Sequence, residues 1–120
     1  MAKLSVNRGT TFNITVNYKT NGVATTLVGA TLFFTVKSAE FDTDLTDASA
    51  VLQKTKTTYV STGDDAANGV AVITILPTDT QAVTPGTYIY DIRVKNAAGA
   101  IYKLDEGKLV LDGSPTNRLV

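Results

Sequence analysis

The sequence contains no cysteine, no histidine and no tryptophan. Without cysteine, the chain cannot form a disulfide or present a thiolate nucleophile. Without cysteine and histidine, most zinc sites and most pairs of a nucleophile with its general base cannot be built. These absences exclude the commonest catalytic and metal centres and leave carboxylates as the main groups for such chemistry.

Excess charge and long apolar runs are also lacking. Eleven basic residues balance eleven acidic ones, so the formal net charge is zero, which does not predict binding to nucleic acid or to an acidic membrane. No apolar run approaches the ~20 residues of a transmembrane helix. The segment from Met1 to Val6 lacks the apolar core of a signal peptide. We therefore expect synthesis in the cytoplasm and neither a membrane nor a nucleic-acid partner.

Threonine is abundant instead, with 20 residues in 120, and threonine and valine favour strands over helices. The clearest alternating pattern runs from Pro85 to Leu104. One face of its first strand holds Tyr88, Tyr90, Ile92 and Val94, which predicts a half-buried strand. The loop from Asn96 to Ala100 suits a tight hairpin with Gly99 in the left-handed region. That turn would place Val94 opposite Tyr102 and Ile92 opposite Leu104.

Two earlier segments alternate in the same way. Their apolar positions are Phe12, Ile14, Val16 and Tyr18 in one, and Ala30, Leu32, Phe34 and Val36 in the other. Asn21-Gly22 predicts a type I′ hairpin, which would place Val16 opposite Leu27. Phe33 points away from the predicted core.

Short strands separated by frequent turn signals, with almost no helix, predict an all-β fold: an antiparallel immunoglobulin-like β-sandwich of about seven strands. A helical turn is expected at Asp65–Gly69, with Asp65 as its cap. A bulge at Gly107 would bring Leu109 and Leu111 to the inner face. We expect one domain over residues 1–112 and a C-terminal tail over 113–120.

Candidate chemical sites are weak. The acidic run Glu40, Asp42, Asp44 and Asp47 loosely suggests calcium, but it lacks the glycine and terminal glutamate of a calcium loop. The carboxylate pairs Asp64-Asp65 and Asp105-Glu106 fall in predicted turns, where side chains are normally solvated. Lys54 and Lys56 share a strand face, most simply an exposed one. The tyrosines of the hairpin fit core packing better than a ligand platform. We therefore predict no enzyme activity, no cofactor, no catalytic residue and no metal site.

A role in binding or assembly remains. Apolar residues outside the predicted core could form a contact patch, and the tail ends in two more. The predicted partner-binding residues are Phe33, Phe41, Leu45, Arg118, Leu119 and Val120.

The order of five motifs carries a resemblance. They are Asn7-Arg8-Gly9-Thr10-Thr11-Phe12, the run from Leu27 to Lys37, Ala66-Ala67-Asn68-Gly69, Ile75-Leu76-Pro77-Thr78-Asp79-Thr80, and the run from Pro85 to Ile92. This set resembles small immunoglobulin-like β-sandwich proteins of tailed bacteriophages and prophages, and it is similar to the N-terminal domain of phage baseplate upper proteins. The resemblance covers about Leu4 to Leu111, and it brings no catalytic residues.

The resemblance implies a structural protein of the virion, made in the host cytoplasm. Because the sequence holds only the sandwich, without a receptor-binding extension, we expect a capsid decoration or cement protein. It would bind the outer capsid lattice. Its partners would be the major capsid protein or other virion structural proteins, with self-association as a further expectation. The alternatives are a tail or baseplate component, and an adhesion module for carbohydrate or a cell surface. An exposed aromatic patch around Phe33, Tyr59 or Tyr88 would favour the last.

Overall fold

The computed structural model of the chain describes residues 2–38 and 50–113. Within them lie nine strands: β1 (Ala2–Asn7), β2 (Phe12–Asn17), β3 (Lys19–Thr20), β4 (Val23–Ala24), β5 (Thr31–Lys37), β6 (Leu52–Lys56), β7 (Val70–Ile75), β8 (Gly86–Lys95) and β9 (Ile101–Asp112). One short helix, α1 (Pro77–Thr80), follows β7. No helix in the described ranges is long and apolar enough to cross a membrane.

The strands form two layers. A five-stranded sheet has the order β1-β9-β8-β5-β6, and β2 pairs with β7 in a two-stranded sheet, with the small β3–β4 hairpin beside it. The apolar side chains of both layers meet in one core, so the predicted all-β sandwich is confirmed. The details differ from the expectation, because the described residues hold nine strands and β1 runs parallel to β9.

The core is built mainly from the inward positions of β2, β5, β7, β8 and β9, with Leu27 and Ala30 from the segment before β5. Its largest fully buried side chains are Phe34, Leu27, Leu32, Ile75, Val36 and Val94. The ring of Phe34 lies 5.8 Å from that of Tyr90, a separation at which tilted aromatic pairs are favourable. Full burial of side chains of this size contributes about 1.5–3 kcal/mol each, so the core is the main source of the stability of the fold.

The hairpin of β8 and β9 forms as predicted at its turn. Gly99 has a φ of 90°, and Val94 lies opposite Tyr102. The predicted position of the bulge is wrong, because Leu104 is the extra residue and Ile92 therefore faces Asp105. This shift brings the Asp105 carboxylate to the hydroxyl of Tyr90, which donates a hydrogen bond of 3.3 Å.

The type I′ hairpin at Asn21-Gly22 is confirmed, since the two residues have φ values of 52° and 79°. The predicted pairing of Val16 with Leu27 is wrong, because β2 pairs instead with β7 and Val16 lies opposite Ala71. A 3₁₀ turn covers Ala66–Asn68 and ends in left-handed Gly69, as predicted. The side chain of Asp65 accepts a hydrogen bond from the side chain of Asn68, and it does not cap the turn.

Candidate partner-binding surface

Three of the connections between strands lie together at one end of the sandwich. β5 and β9 begin there, and β2, β6 and β8 end there, as the strand pairings require. We call this surface the loop end and define it as residues 19–30, 57–69 and 95–102. The opposite end holds α1, the start of β8 and the end of β9.

The loop end concentrates exposed apolar side chains. Of the seven large apolar side chains that are exposed in the described part of the chain, five lie at the loop end: Val23, Val28, Val60, Ile101 and Tyr102. Val60 is 90% exposed and Val23 is 68% exposed. Exposed charged side chains are few here, namely Lys19, Asp65 and Lys95. Depletion of charge with apolar and aromatic side chains is typical of the central part of protein interfaces.

The outer face of the five-stranded sheet has a different character. Arg93 and Asp91 form an ion pair with 3.1 Å between Nε and Oδ2, and Lys103 and Glu106 form another of 3.0 Å. These pairs are largely exposed and contribute little to stability. They keep this face solvated, which favours the loop end as the surface for a partner.

Backbone contacts join the three segments of the loop end. The amide of Leu27 donates to the carbonyl of Ala66 at 2.7 Å. A Cβ added to Gly29 would lie 3.0 Å from the Cβ of Ala97, so these two turns are in close contact. Gly69 is tighter still, because an added Cβ would lie 2.4 Å from the carbonyl oxygen of Thr25. The loop end is therefore built from turns held against one another.

A buried carboxylate fixes the segment 57–69. The side chain of Asp64 is fully buried and accepts hydrogen bonds from the amides of Ser61 (3.0 Å) and Val72 (2.9 Å). Lys56 Nζ lies 3.0 Å from the same carboxylate. Close by, the hydroxyl of Tyr59 donates to the carbonyl of Ala30 at 2.7 Å. The cluster ties the segment to β6, β7 and the turn before β5.

The surroundings of Asp64 set its ionisation. Burial alone would raise the pKa of the Asp64 carboxyl, but hydrogen bonds from Val72, Lys56 and Ser61 outweigh burial and lower its pKa. Burial and the negative charge of Asp64 raise the pKa of Tyr59. Asp64 is therefore a charged anchor at neutral pH, with its oxygen atoms occupied by internal donors.

The side chains of Asp64, Lys54 and Lys56 were predicted to be exposed to solvent, and this prediction is wrong. Lys54 and Lys56 lie opposite Phe34 and Leu32 in β5, so their side chains start from the inner face of the sheet. Both are half-buried. Besides the Lys56–Asp64 pair, Lys54 Nζ lies 3.0 Å from the carboxylate of Asp79. The two lysines reach across the open side of the sandwich to carboxylates of the other layer.

The predicted partner-binding residues are largely untested by this geometry. Phe33 is half-buried on the outer face of β5, between Thr55 and Arg93 of the adjacent strands. It points away from the core, as predicted. Phe41, Leu45, Arg118, Leu119 and Val120 lie outside the described residues, as does the acidic run Glu40, Asp42, Asp44 and Asp47. The structure brings none of the predicted residues together within its described ranges.

The hairpin tyrosines do not form one ligand platform. Tyr90 is buried and Tyr88 is half-buried, with its hydroxyl donating to the carbonyl of Thr84. Tyr102 is 52% exposed, although it lies opposite buried Val94. The prediction of core packing holds for Tyr90 and is wrong for Tyr102, which lies at the exposed start of β9. In residues 2–38 and 50–113, no three acidic side chains lie close enough together to hold a metal ion.

The exposed apolar residues of the loop end were not among the residues predicted to bind a partner. A signal existed for Ile101, because the predicted hairpin places it opposite Lys95, on the polar face of the sheet. Val28 directly precedes left-handed Gly29, and Val60 lies outside any alternating run. For Val28 and Val60, the available indication in the sequence was an apolar residue outside the alternating strand patterns.

Comparisons with known proteins give little further information. The sequence matches no protein-family model. A search of curated proteins also gives no match. Among solved structures, the chain is similar to CopC from Methylosinus trichosporium OB3b, with 13% sequence identity and a TM-score of 0.47. The alignment covers 97% of this chain and 89% of that one. A similarity of this strength supports no inference about function.

Proposed function

We propose that this protein is a non-enzymatic structural protein of a phage virion, of the capsid decoration or cement type, and that its loop end contacts the outer capsid lattice. The observation that carries the proposal is the concentration of exposed apolar side chains at the loop end, on turns that are hydrogen-bonded to one another. The motif order from Asn7 to Ile92, which resembles phage β-sandwich proteins, supports the virion class.

The physical mechanism would be passive. A sandwich with internally paired charges presents a preformed surface, so little conformational entropy is lost on binding. Individual contacts of a small domain are weak, but a lattice offers many equivalent sites, and avidity between linked copies would strengthen attachment. A tail or baseplate location would use the same surface on another virion protein.

The adhesion alternative receives less support. The hydroxyl of Tyr59 is used inside the loop end, that of Tyr88 bonds Thr84, and Phe33 is half-buried between strands. These three residues therefore do not form an exposed aromatic patch.

The test uses virions of a phage that encodes this chain, produced with the gene deleted and mixed with purified protein. We expect the wild-type chain to bind, and Val28→Glu with Ile101→Glu to lose binding while retaining the wild-type melting temperature. Leu76→Glu is the matched control, because Leu76 is also apolar and exposed but lies at the opposite end.

Two results would contradict the proposal in different ways. If the Val28→Glu, Ile101→Glu protein binds like the wild type, the loop end is not the contact surface. If the wild-type chain binds neither the deleted virions nor their capsids, the virion assignment fails.

A further inference from the structure

The edges of the two sheets are protected unequally. An unpaired strand edge offers free backbone donors and acceptors to another strand, and proteins usually block such edges with inward charges, bulges or covering groups. β6 has the inward-pointing Lys54 and Lys56. The upper part of β9 has its bulge at Leu104, and β1 carries Lys3.

The outer edge of β7 is covered. The amide of Val72 donates to the Asp64 carboxylate, and Val70 exchanges two backbone hydrogen bonds with Asp65, of 2.8 and 2.9 Å. Among residues 2–38 and 50–113, no inward charge, bulge or covering group protects the outer edge of β2. The sequence of β2 is Phe12-Asn13-Ile14-Thr15-Val16-Asn17, which contains no charged residue and no proline, and β2 pairs regularly with β7. Within the described residues, β2 has a strand partner on one side only.

The pairing with β7 shows which backbone groups point to the open edge. Val70 and Val72 direct their backbone groups away from β2, and they lie opposite Asn17 and Thr15. In an antiparallel ladder, residues of such a pair both point outward. The amides and carbonyls of Asn17, Thr15 and, by the period of two, Asn13 therefore face the open edge. The hairpin that follows does not cover them, because the amide of Thr25 reaches Tyr18 on the side of β7.

We propose that a second copy of this chain occupies this edge, by antiparallel pairing of β2 with β2 about a two-fold axis at Thr15. Thr15 of one copy would lie opposite Thr15 of the other, and Asn13 opposite Asn17. This register keeps apolar Ile14 and Val16 on the inner face of both copies and exposed polar residues on the outer face. It forms about six new backbone hydrogen bonds and places no like charges opposite each other.

The dimer would be weak by itself. A single strand pair is small beside the roughly 800 Å² per partner of a standard interface. We therefore expect association that depends on protein concentration, strengthened wherever copies are held close together. The self-pairing does not depend on the virion assignment, and its test uses the isolated chain.

Because the chain lacks cysteine, single cysteines report the pairing directly. Thr15→Cys would place two thiols across the axis with their Cα atoms about 5.5 Å apart. The Cβ atoms of such a hydrogen-bonded pair are also about 5.5 Å apart, which is wider than the ~3.5–4.5 Å of a disulfide, so a short bis-maleimide is the suitable reagent. We expect Thr15→Cys to form a covalent dimer with this reagent at least ten times faster than Ser5→Cys. Ser5 is the matched control, because it is also exposed on an edge strand.

A second measurement fixes the register. Asn13→Cys mixed with Asn17→Cys should cross-link to each other, whereas either variant alone should cross-link no faster than Ser5→Cys. Thr15→Lys, which places two ammonium groups on the axis, should sediment as a monomer at concentrations where the wild type dimerises. Equal cross-linking rates for Thr15→Cys and Ser5→Cys, or an undiminished dimer in Thr15→Lys, would overturn the proposal.

Discussion

Replacing Asp64 by alanine tests whether the buried carboxylate holds the loop end together. Its side chain is fully buried and accepts hydrogen bonds from the amides of Ser61 and Val72 and from the ammonium of Lys56. Alanine leaves all three donors without this acceptor. The substitution also opens the connection between β6 and the two-stranded layer, which Lys56 and Asp64 bridge.

The magnitude follows from these partners. The half-buried amide of Val72, left without an acceptor, costs about 1–3 kcal/mol, whereas the exposed amide of Ser61 can bond water. Breaking a buried ion pair costs about 3–5 kcal/mol. The side chain of Lys56 is 17% exposed, so it can turn partly to water and recover some of that cost. We expect Asp64→Ala to lower the free energy of unfolding by about 3 kcal/mol, which corresponds to a fall in melting temperature of roughly 10 °C.

Equilibrium unfolding in urea measures this loss, with Asp65→Ala as the neighbouring control. Asp65 is exposed and its carboxylate bonds only the side chain of Asn68 among the described residues, so its replacement should cost less than about 1 kcal/mol. Asp64→Asn should lie between, because one amide hydrogen then faces a donor. If Asp64→Ala and Asp65→Ala differ by less than about 0.5 kcal/mol with equal m-values, the anchor role is refuted.

Three further predictions concern other contacts. Gly69→Ala should destabilise the protein more than Gly22→Ala in urea unfolding; both have positive φ, which costs about 1–2 kcal/mol, but only Gly69 brings its new Cβ against the carbonyls of Thr25 and Tyr18. The pKa values of Asp64 and Asp79 are lowered in the folded state, so the stabilisation that these two carboxylates contribute is present above their ordinary pKa and is lost as pH falls through the folded pKa. The free energy of unfolding, followed by circular dichroism in acid, should therefore fall less steeply with decreasing pH in Asp64→Ala than in the wild type. Burial and Asp105 raise the pKa of Tyr90 to about 12. The protonated hydroxyl of Tyr90 therefore stabilises the fold below about pH 10, and this contribution is lost as pH rises through about 12. Ultraviolet titration of Tyr90→Phe should lack the last tyrosine step.

Local patterns predicted much of the fold. The alternation in β2, β5 and β8 identified their buried faces, because one face of each strand packs on the core. Asn21-Gly22 and Gly99 identified tight turns, because few residues accept positive φ. These features depend on neighbours in the sequence.

Features that depend on distant residues were not predictable in this way. The sequence alone predicts that Lys56 is an exposed strand residue, because its partner Asp64 lies in the other layer of the sandwich. The bulge at Leu104 is visible only in the pairing of β9 with β8, where it brings Asp105 to the hydroxyl of Tyr90. Val28 becomes a surface candidate once Gly29 is known to pack against Ala97. In each case, the deciding partner is separated in sequence and no local period reveals it.

The position of the loop end raises the question of whether the protein contacts partners at one end of the sandwich or at both. The predicted residues Phe41 and Leu45 fall between β5 and β6, and Arg118, Leu119 and Val120 follow β9. The described residues that flank them, Ser38, Ala50 and Gly113, lie at the end opposite the loop end. A protein that contacts partners at both ends could bridge two units of a lattice, whereas contact at one end only anchors it.

Deleting Ser114–Val120 separates the two cases when it is compared with Val28→Glu, Ile101→Glu in the virion binding assay. If both ends bind, each change should weaken attachment, and the two combined should reduce it further, because the contacts contribute separately to avidity. If the loop end alone binds, the deletion should leave attachment at the wild-type level and the double substitution should abolish it. Loss of binding on deletion alone, with the double substitution neutral, would place the contact at the tail and refute the role of the loop end.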